Sequence, residues 1–294
     1  MALQTSNIIL PKDVVPVTID KAKGISTIAR LSPSEPQLFV DKTHLIFNPT
    51  SEAEVVAEGA AKGNYENSLQ PVEGKRVKLV TTTRVSNELQ WADADAQEQI
   101  IQHIVTDQAE ALGRAIDYVI YHAINPKSGT TLSGYTSLVS GAVSVDTTED
   151  ETQSIDNMAD ALIDYNITGM AMCREFASAL RKIRVENTGQ RLYPEIPLSL
   201  NAGSVDGISC VTSNTVDGKL AKTATNVRAI MGDFSLIKWG MVRDMTSELI
   251  EYGDPDGTGT DLKNVNQVAY RTESMFAYAV LDSKGFAVLK KASA

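Results

Sequence analysis

The sequence predicts an α+β fold hung on one long helix, and three stretches carry that prediction. The first runs from Asp93 to Ala123, where apolar residues fall at Ile101, Ile104, Val105, Ala109, Leu112, Ile116, Val119, Ile120 and Ala123. Steps of three and four mark a single helical face. The second is Arg76–Glu88, where Val77, Leu79, Thr81, Thr83 and Val85 alternate with Arg76, Lys78, Val80, Thr82 and Arg84 in the two-residue period of a strand. The third is everything beyond Asn125-Pro126, where short apolar runs and amphipathic segments take turns.

The long helix is justified residue by residue. Asp93 and Asp95 stand where a cap and first-turn acids belong, and Glu110 lies four residues ahead of Arg114 as a favourable pair. Its opposite face reads Gln102, Asp107, Glu110, Arg114, Asp117 and Tyr121, polar throughout. At 1.5 Å per residue such a helix is roughly 45 Å long and spans a domain from end to end. Gly113 is its one flaw, costing about 1 kcal/mol against alanine, and signals either a close backbone crossing or plain tolerance.

Ahead of the helix, residues 1–37 carry Pro11, Pro16, Pro33 and Pro36 and little regular period. They read as an extended arm with a short helix around Ile25–Leu31, lying on the chain's own body or on a neighbouring subunit. Strand-like runs follow at Leu38–Phe47, Glu54–Ala57 and Arg76–Glu88, with a long loop at 59–74 between the last two. A two-stranded ribbon with a poor apolar tip is marginal in water and needs another surface to rest on. After the helix comes a glycine-serine loop, then Thr148-x-x-Glu151 with capping-box spacing before a second amphipathic helix. Ile167–Met172 reads as a buried strand and Arg174–Arg184 as a helix. Strands are expected at Gly207–Ser213, Val227–Phe234, Leu236–Trp239 and Met245–Tyr252, and a last long segment at Asn264–Val280.

Composition narrows the functions. The 294 residues hold 27 basic and 37 acidic side chains, a net charge of −10. A grip on nucleic-acid phosphates usually needs a basic stripe, so tight nucleic-acid binding and membrane-surface attachment are both disfavoured. No apolar run approaches bilayer length, and the broken N-terminal patch is not a signal peptide. Cys173 and Cys210 have no metal or redox spacing and read as small core residues in a reducing compartment. His44, His103 and His122 are scattered, and the two on the helix point about 100° apart. No serine-nucleophile or phosphate-loop motif is present. Asp254-x-Asp256-x-Thr258-Gly259 resembles the start of a calcium loop, but Val265 stands where the closing glutamate belongs, so a plain turn is the expectation. No catalytic set, metal or cofactor is expected.

Four pieces in order carry a resemblance: FNPTSEAEVVAEGAAKG at 47–63, the run from Lys75 through Ala123, MCREFASALRKIRVENTGQRLYPE followed by VDGISCVTSNTV, and NQVAYRTESMFAYAVLDSKGFAVLKKA at the end. Together they resemble the major capsid protein of tailed bacteriophages, with the Hong Kong-type phage capsid fold shared with encapsulins and the herpesvirus capsid floor. The resemblance implies an N-terminal arm (1–37), a long β-hairpin E-loop ribbon with flanking strands (38–90), a peripheral domain with a long spine helix (91–145), an axial α/β domain (146–244) and closing peripheral strands (245–294). It implies a structural protein and not an enzyme, assembling with copies of itself in pentamers and hexamers around double-stranded DNA. A separate scaffolding protein, a portal and decoration proteins are the further partners it implies, with assembly in the host cytoplasm and no membrane. Lys62, Tyr65 and Glu66 fall at the E-loop tip as inter-subunit contacts.

Some members of that family join subunits covalently through a tip lysine, a neighbour's asparagine and a glutamate base. Lys62 falls on the lysine position and Asn264 or Asn266 near the asparagine position, while the glutamate position holds Thr272 with Glu273 beside it. An amine near pKa 10.4 needs a base to attack an amide, so a non-covalent shell is expected. An encapsulin-type compartment and a mixed α/β enzyme are the competing readings.

Overall fold

A computed structural model of the protein describes residues 26–35, 43–48, 53–60, 62, 68–90, 94–186 and 188–291. The chain runs through α1 (Ile28–Leu31), β1 (Thr43–Asn48), β2 (Ser68–Glu73), β3 (Lys75–Ser86), α2 (Asn87–Gln90) and α3 (Ala94–His122). Next come α4 (Leu138–Gly141), β4 (Val143–Asp146), α5 (Glu151–Asp160), β5 (Gly169–Met172) and α6 (Arg174–Lys182). It closes with β6 (Ser204–Val205), β7 (Ile208–Thr212), β8 (Val227–Gly232), β9 (Ile237–Ile250), β10 (Gln267–Val280) and β11 (Phe286–Lys290).

The expected long helix is present as α3, 29 residues without a break. Its stripe behaves as expected only in the first half, where Gln102, Asp107 and Glu110 are exposed. From Ala115 to Ile124 every residue is buried, including Asp117 and Tyr121, both read from sequence as part of a solvated polar face. The cause is tertiary: α1 and residues 213–215 cover that side. Gly113 faces open space, with nothing within 4 Å of where a Cβ would stand, so tolerance and not a backbone crossing explains it.

Among the described residues three sheets form, ordered β1-β2, β3-β10-β9 and β4-β11-β8-β5-β7-β6. In the six-stranded sheet, alternate residues serve two different cores. Ala229, Met231, Ala287, Leu289, Met170 and Met172 pack with α5 and α6 through Ile155, Met158, Phe176 and Leu180. Val227, Ile230, Phe286, Val288 and Ala171 pack with the end of α3 through Ile116, Val119 and Ile120. Covered on both faces, these strands read as unbroken apolar runs. β4 and β11 lie together at one edge of this sheet, with β11 between β4 and β8.

The three-stranded sheet lies along the first half of α3, where Val85, Val268 and Tyr270 meet Ile100, Ile101 and Ile104. The expected strands Leu236–Trp239 and Met245–Tyr252 are one strand, β9. Its register against β10 shifts on both sides of Met275, and these bulges break the alternation between Met241 and Thr246 that would have shown continuity.

Two further expectations are corrected. The loop at 59–74 is shorter than expected, because Ser68–Glu73 pairs antiparallel with β1, setting Leu45 opposite Pro71. A proline is admissible in a two-stranded ribbon, where each strand has a free edge. The helix after the glycine-serine loop is capped by Asp150, whose carboxylate accepts the Thr152 N–H at 2.9 Å, and not by Thr148. Glu54–Ala57 forms no strand.

Candidate functional site

The described part of the arm is laced to the body. Asp117 accepts hydrogen bonds from the Ser26 hydroxyl (2.7 Å), the Thr27 and Ile28 backbone N–H groups (2.7 and 3.2 Å), the Thr27 hydroxyl (3.0 Å) and the Thr215 hydroxyl (2.5 Å). The carboxylate thereby caps α1 from another element, taking donors its own turn leaves unpaired. Burial raises the Asp117 pKa, against the lowering effect of these bonds. Beyond α1 the chain continues beside β9: the Ser32 hydroxyl donates to the Ile237 carbonyl at 2.8 Å, and the Trp239 indole N–H to the Ser32 carbonyl at 3.1 Å. Lys238 pairs with Glu35 at 2.7 Å. Residues 26–35 therefore rest on the chain's own body, while the rest of the expected arm lies outside the described residues.

A second polar knot joins α3 to the three-stranded sheet. Gln108, buried, donates through Nε2 to the Thr83 hydroxyl (2.9 Å) and the Tyr270 carbonyl (3.0 Å). Its Oε1 accepts the Thr272 hydroxyl at 2.7 Å, and Ser247 lies 2.8 Å from the same hydroxyl. Thr272 thus has a structural task where the resemblance would place a base. Glu273 points to the other face of β10 and pairs with Lys78 at 3.0 Å.

The remaining positions are dispersed. Lys62 is exposed, and Tyr65 and Glu66 lie outside the described residues. Asn264 is exposed on the turn Lys263–Val265. Asn266 takes a left-handed conformation (φ 53°) and its Oδ1 accepts from Asn87 Nδ2 at 2.9 Å, which commits that amide locally.

The aspartates of 254–259 are also committed, to a partner sequence reading missed. Arg84 of β3 donates Nε to both oxygens of Asp256 (2.9 and 3.0 Å), Nη2 to Asp254 (2.6 Å) and Thr258 (2.7 Å), and Nη1 to the Thr260 carbonyl (3.1 Å). A guanidinium sits where a calcium ion would have to. Arg84 fits the alternation of β3 like its neighbours and lies 170 residues from Asp254, so no local pattern pointed to the pairing.

Other reactive side chains are quenched by burial. The Cys173 and Cys210 thiols are free and buried, pushed up to about 11 and about 12 by desolvation, away from the thiolate a nucleophile needs. His122 is driven down to about 4, with Nε2 3.0 Å from the Val216 carbonyl. Among the described residues no group of three His, Cys, Asp or Glu side chains could hold a metal, and no helix is long and apolar enough to cross a membrane.

The model of the Phage capsid family matches residues 7–291. The chain belongs to the phage capsid family. Solved structures agree over the whole length. A chain of Mycobacterium phage Ogopogo is 33% identical, with 99% of this chain and 100% of that one covered and a TM-score of 0.86. A chain of Gordonia phage Cozz is 28% identical, with 99% and 94% covered and a TM-score of 0.81. The capsid of an empty GTA particle shares the fold at 14% identity, with 97% and 94% covered and a TM-score of 0.62. No curated protein matches the sequence. The chain is a structural capsid component of a bacteriophage virion, not an enzyme, and an encapsulin compartment is not favoured.

Proposed function

We propose that the protein builds an icosahedral head shell of pentamers and hexamers around double-stranded DNA, held by non-covalent contacts alone. One observation supports this reading most directly. Among the described residues no hydrophobic cluster takes a residue from β1 or β2, and Leu45, Leu69 and Val55 on or beyond that ribbon are 62%, 53% and 101% exposed. A ribbon without a core of its own gains stability by lying across a copy of the chain, and such contacts repeated about rotation axes close a shell. In this reading 38–90 is the E-loop ribbon, with Lys62, Tyr65 and Glu66 at its contacting tip. The peripheral part comprises α3 with β9 and β10, and the six-stranded sheet, including β4 and β11, is the axial part.

Non-covalent closure is supported by Thr272 and Glu273, whose polar atoms are already engaged within the subunit. Scaffolding and portal proteins, decoration proteins where used, and assembly in the host cytoplasm complete the proposal. Negative-stain microscopy of the purified chain should show closed particles, and replacing 53–67 by a short glycine-serine turn should leave folded subunits that form none. Closed shells from that variant would refute the role given to the ribbon. Particles boiled in denaturing detergent should run as one band near 31.7 kDa; a ladder of multimers would refute non-covalent closure.

A further inference from the structure

A cleft of about 550 Å³ opens between the loop following α3 and the loop 217–226, with the end of β11 beside it. Of its fourteen lining residues six carry hydroxyls, two are lysines (Lys222 and Lys290) and none is Asp or Glu. In a chain with 37 acidic against 27 basic residues, a concavity free of carboxylates reverses the overall charge locally. Its size lies in the range of small-ligand sites.

The walls are held by backbone and by burial. Gly129 donates its N–H to the Asn125 carbonyl at 2.7 Å and accepts the Lys222 N–H at 3.0 Å, which fastens the two loops together. It sits at φ 68°, and a side chain there would collide with the Leu220 carbonyl, so this approach needs glycine. His122 lines the cleft with its ring bonded to the Val216 carbonyl and is neutral at pH 7, leaving the two ammonium groups as the source of charge. Neither lysine enters an ion pair among the described residues, although Asp146 stands opposite Lys290 in the β4–β11 pairing. Thr131 and Thr223 line the same space.

We infer that this cleft binds a phosphate group, with Lys222 and Lys290 supplying the charge and the Thr131 and Thr223 hydroxyls donating hydrogen bonds. Ammonium groups serve as point-charge partners for phosphate, and hydroxyls complete its shell of donors. The phosphate has two possible sources, free inorganic phosphate or the backbone of duplex DNA. The inference does not depend on the shell reading, so particles and phosphate binding fail or succeed separately.

The test titrates the full-length protein with inorganic phosphate and, separately, with a short DNA duplex, at ionic strength matched by chloride. Wild-type protein should bind phosphate saturably, and a Lys222→Ala/Lys290→Ala variant should bind it at least tenfold more weakly with an unchanged circular dichroism spectrum. Thr223→Val, which keeps both charges, should weaken binding about threefold. If the backbone is the source, duplex affinity should also fall in the double variant, and its salt dependence should become shallower by about two in slope. Duplex binding untouched by the substitutions assigns the cleft to free phosphate. No saturable phosphate binding by the wild type, or equal binding by the double variant, overturns the inference.

Discussion

Thr272, in the middle of β10, donates its hydroxyl proton to Oε1 of Gln108 on α3 at 2.7 Å. That bond joins the helix to the strand through a site from which water is excluded: Thr272 is 1% exposed and Gln108 3%. A position that the family resemblance associates with covalent chemistry here holds the subunit's own layers together.

Thr272→Val keeps the shape and removes the donor, leaving Gln108 Oε1 buried without a partner. The expected loss is about 1–3 kcal/mol of stability, measured as a lower urea midpoint with an unchanged slope. A variant as stable as wild type would show the knot to be dispensable.

Asp117→Ala strands the donors of Ser26, Thr27, Ile28 and Thr215 together. A loss of about 3–5 kcal/mol is expected, with early proteolysis near residues 26–35. Asp117→Asn should cost less, and its pH dependence carries the sign. Because the folded pKa lies above the ordinary value of 3.8, Asp117 favours the fold most at low pH, and that contribution is lost as pH rises through the folded pKa. The stability difference between wild type and Asp117→Asn should therefore shrink as pH rises above about 4; a growing difference would contradict the assignment.

His122 has the opposite sign. Its folded pKa of about 4 lies below the ordinary 6.5, so its contribution is present at neutral pH and lost as pH falls from 6.5 towards 4. Wild type should lose about 3 kcal/mol over that window that His122→Gln does not lose. Chemical unfolding at pH 7 and pH 4 compares the two directly.

Arg84→Ala should loosen the loop 253–261, because that side chain bonds Asp254, Asp256, Thr258 and Thr260 and leaves the Arg271 bond to the Pro255 carbonyl as the remaining side-chain tether among the described residues. Limited proteolysis should then cut in that loop while the wild type resists. Chelator or added calcium should leave the wild-type melting temperature unchanged, since the guanidinium holds the place a cation would need.

The elements whose period is set by one covered face were legible in the sequence. α3 was readable from the spacing of Ile101 through Ala123, β3 from its alternation, and α6 nearly to its ends. β2 was hidden because Ser68–Glu73 contains a proline and its apolar Leu69 and Val72 stand three apart, out of the two-residue period, so nothing in its own pattern separates it from a loop. β9 read as two strands because its bulges interrupt the two-residue period. Asp117 was seen only as a polar residue on a helix face, Gln108 was not singled out at all, and Arg84 was seen only as a polar residue in a strand. Their partners lie 90, 164 and 172 residues away, beyond any local pattern.

By itself the sequence determined the secondary structure with strong periodicity, the absence of a catalytic motif, and the family, because these depend on residue order and hydrophobic spacing. Tertiary structure decided which polar residues are buried, how the arm's described segment is fastened, and which strands share a sheet. A carboxylate or an amide has the same side chain in water and in a core. Only the elements packed against it settle whether it is solvated or carries the hydrogen bonds that hold distant parts of the chain together.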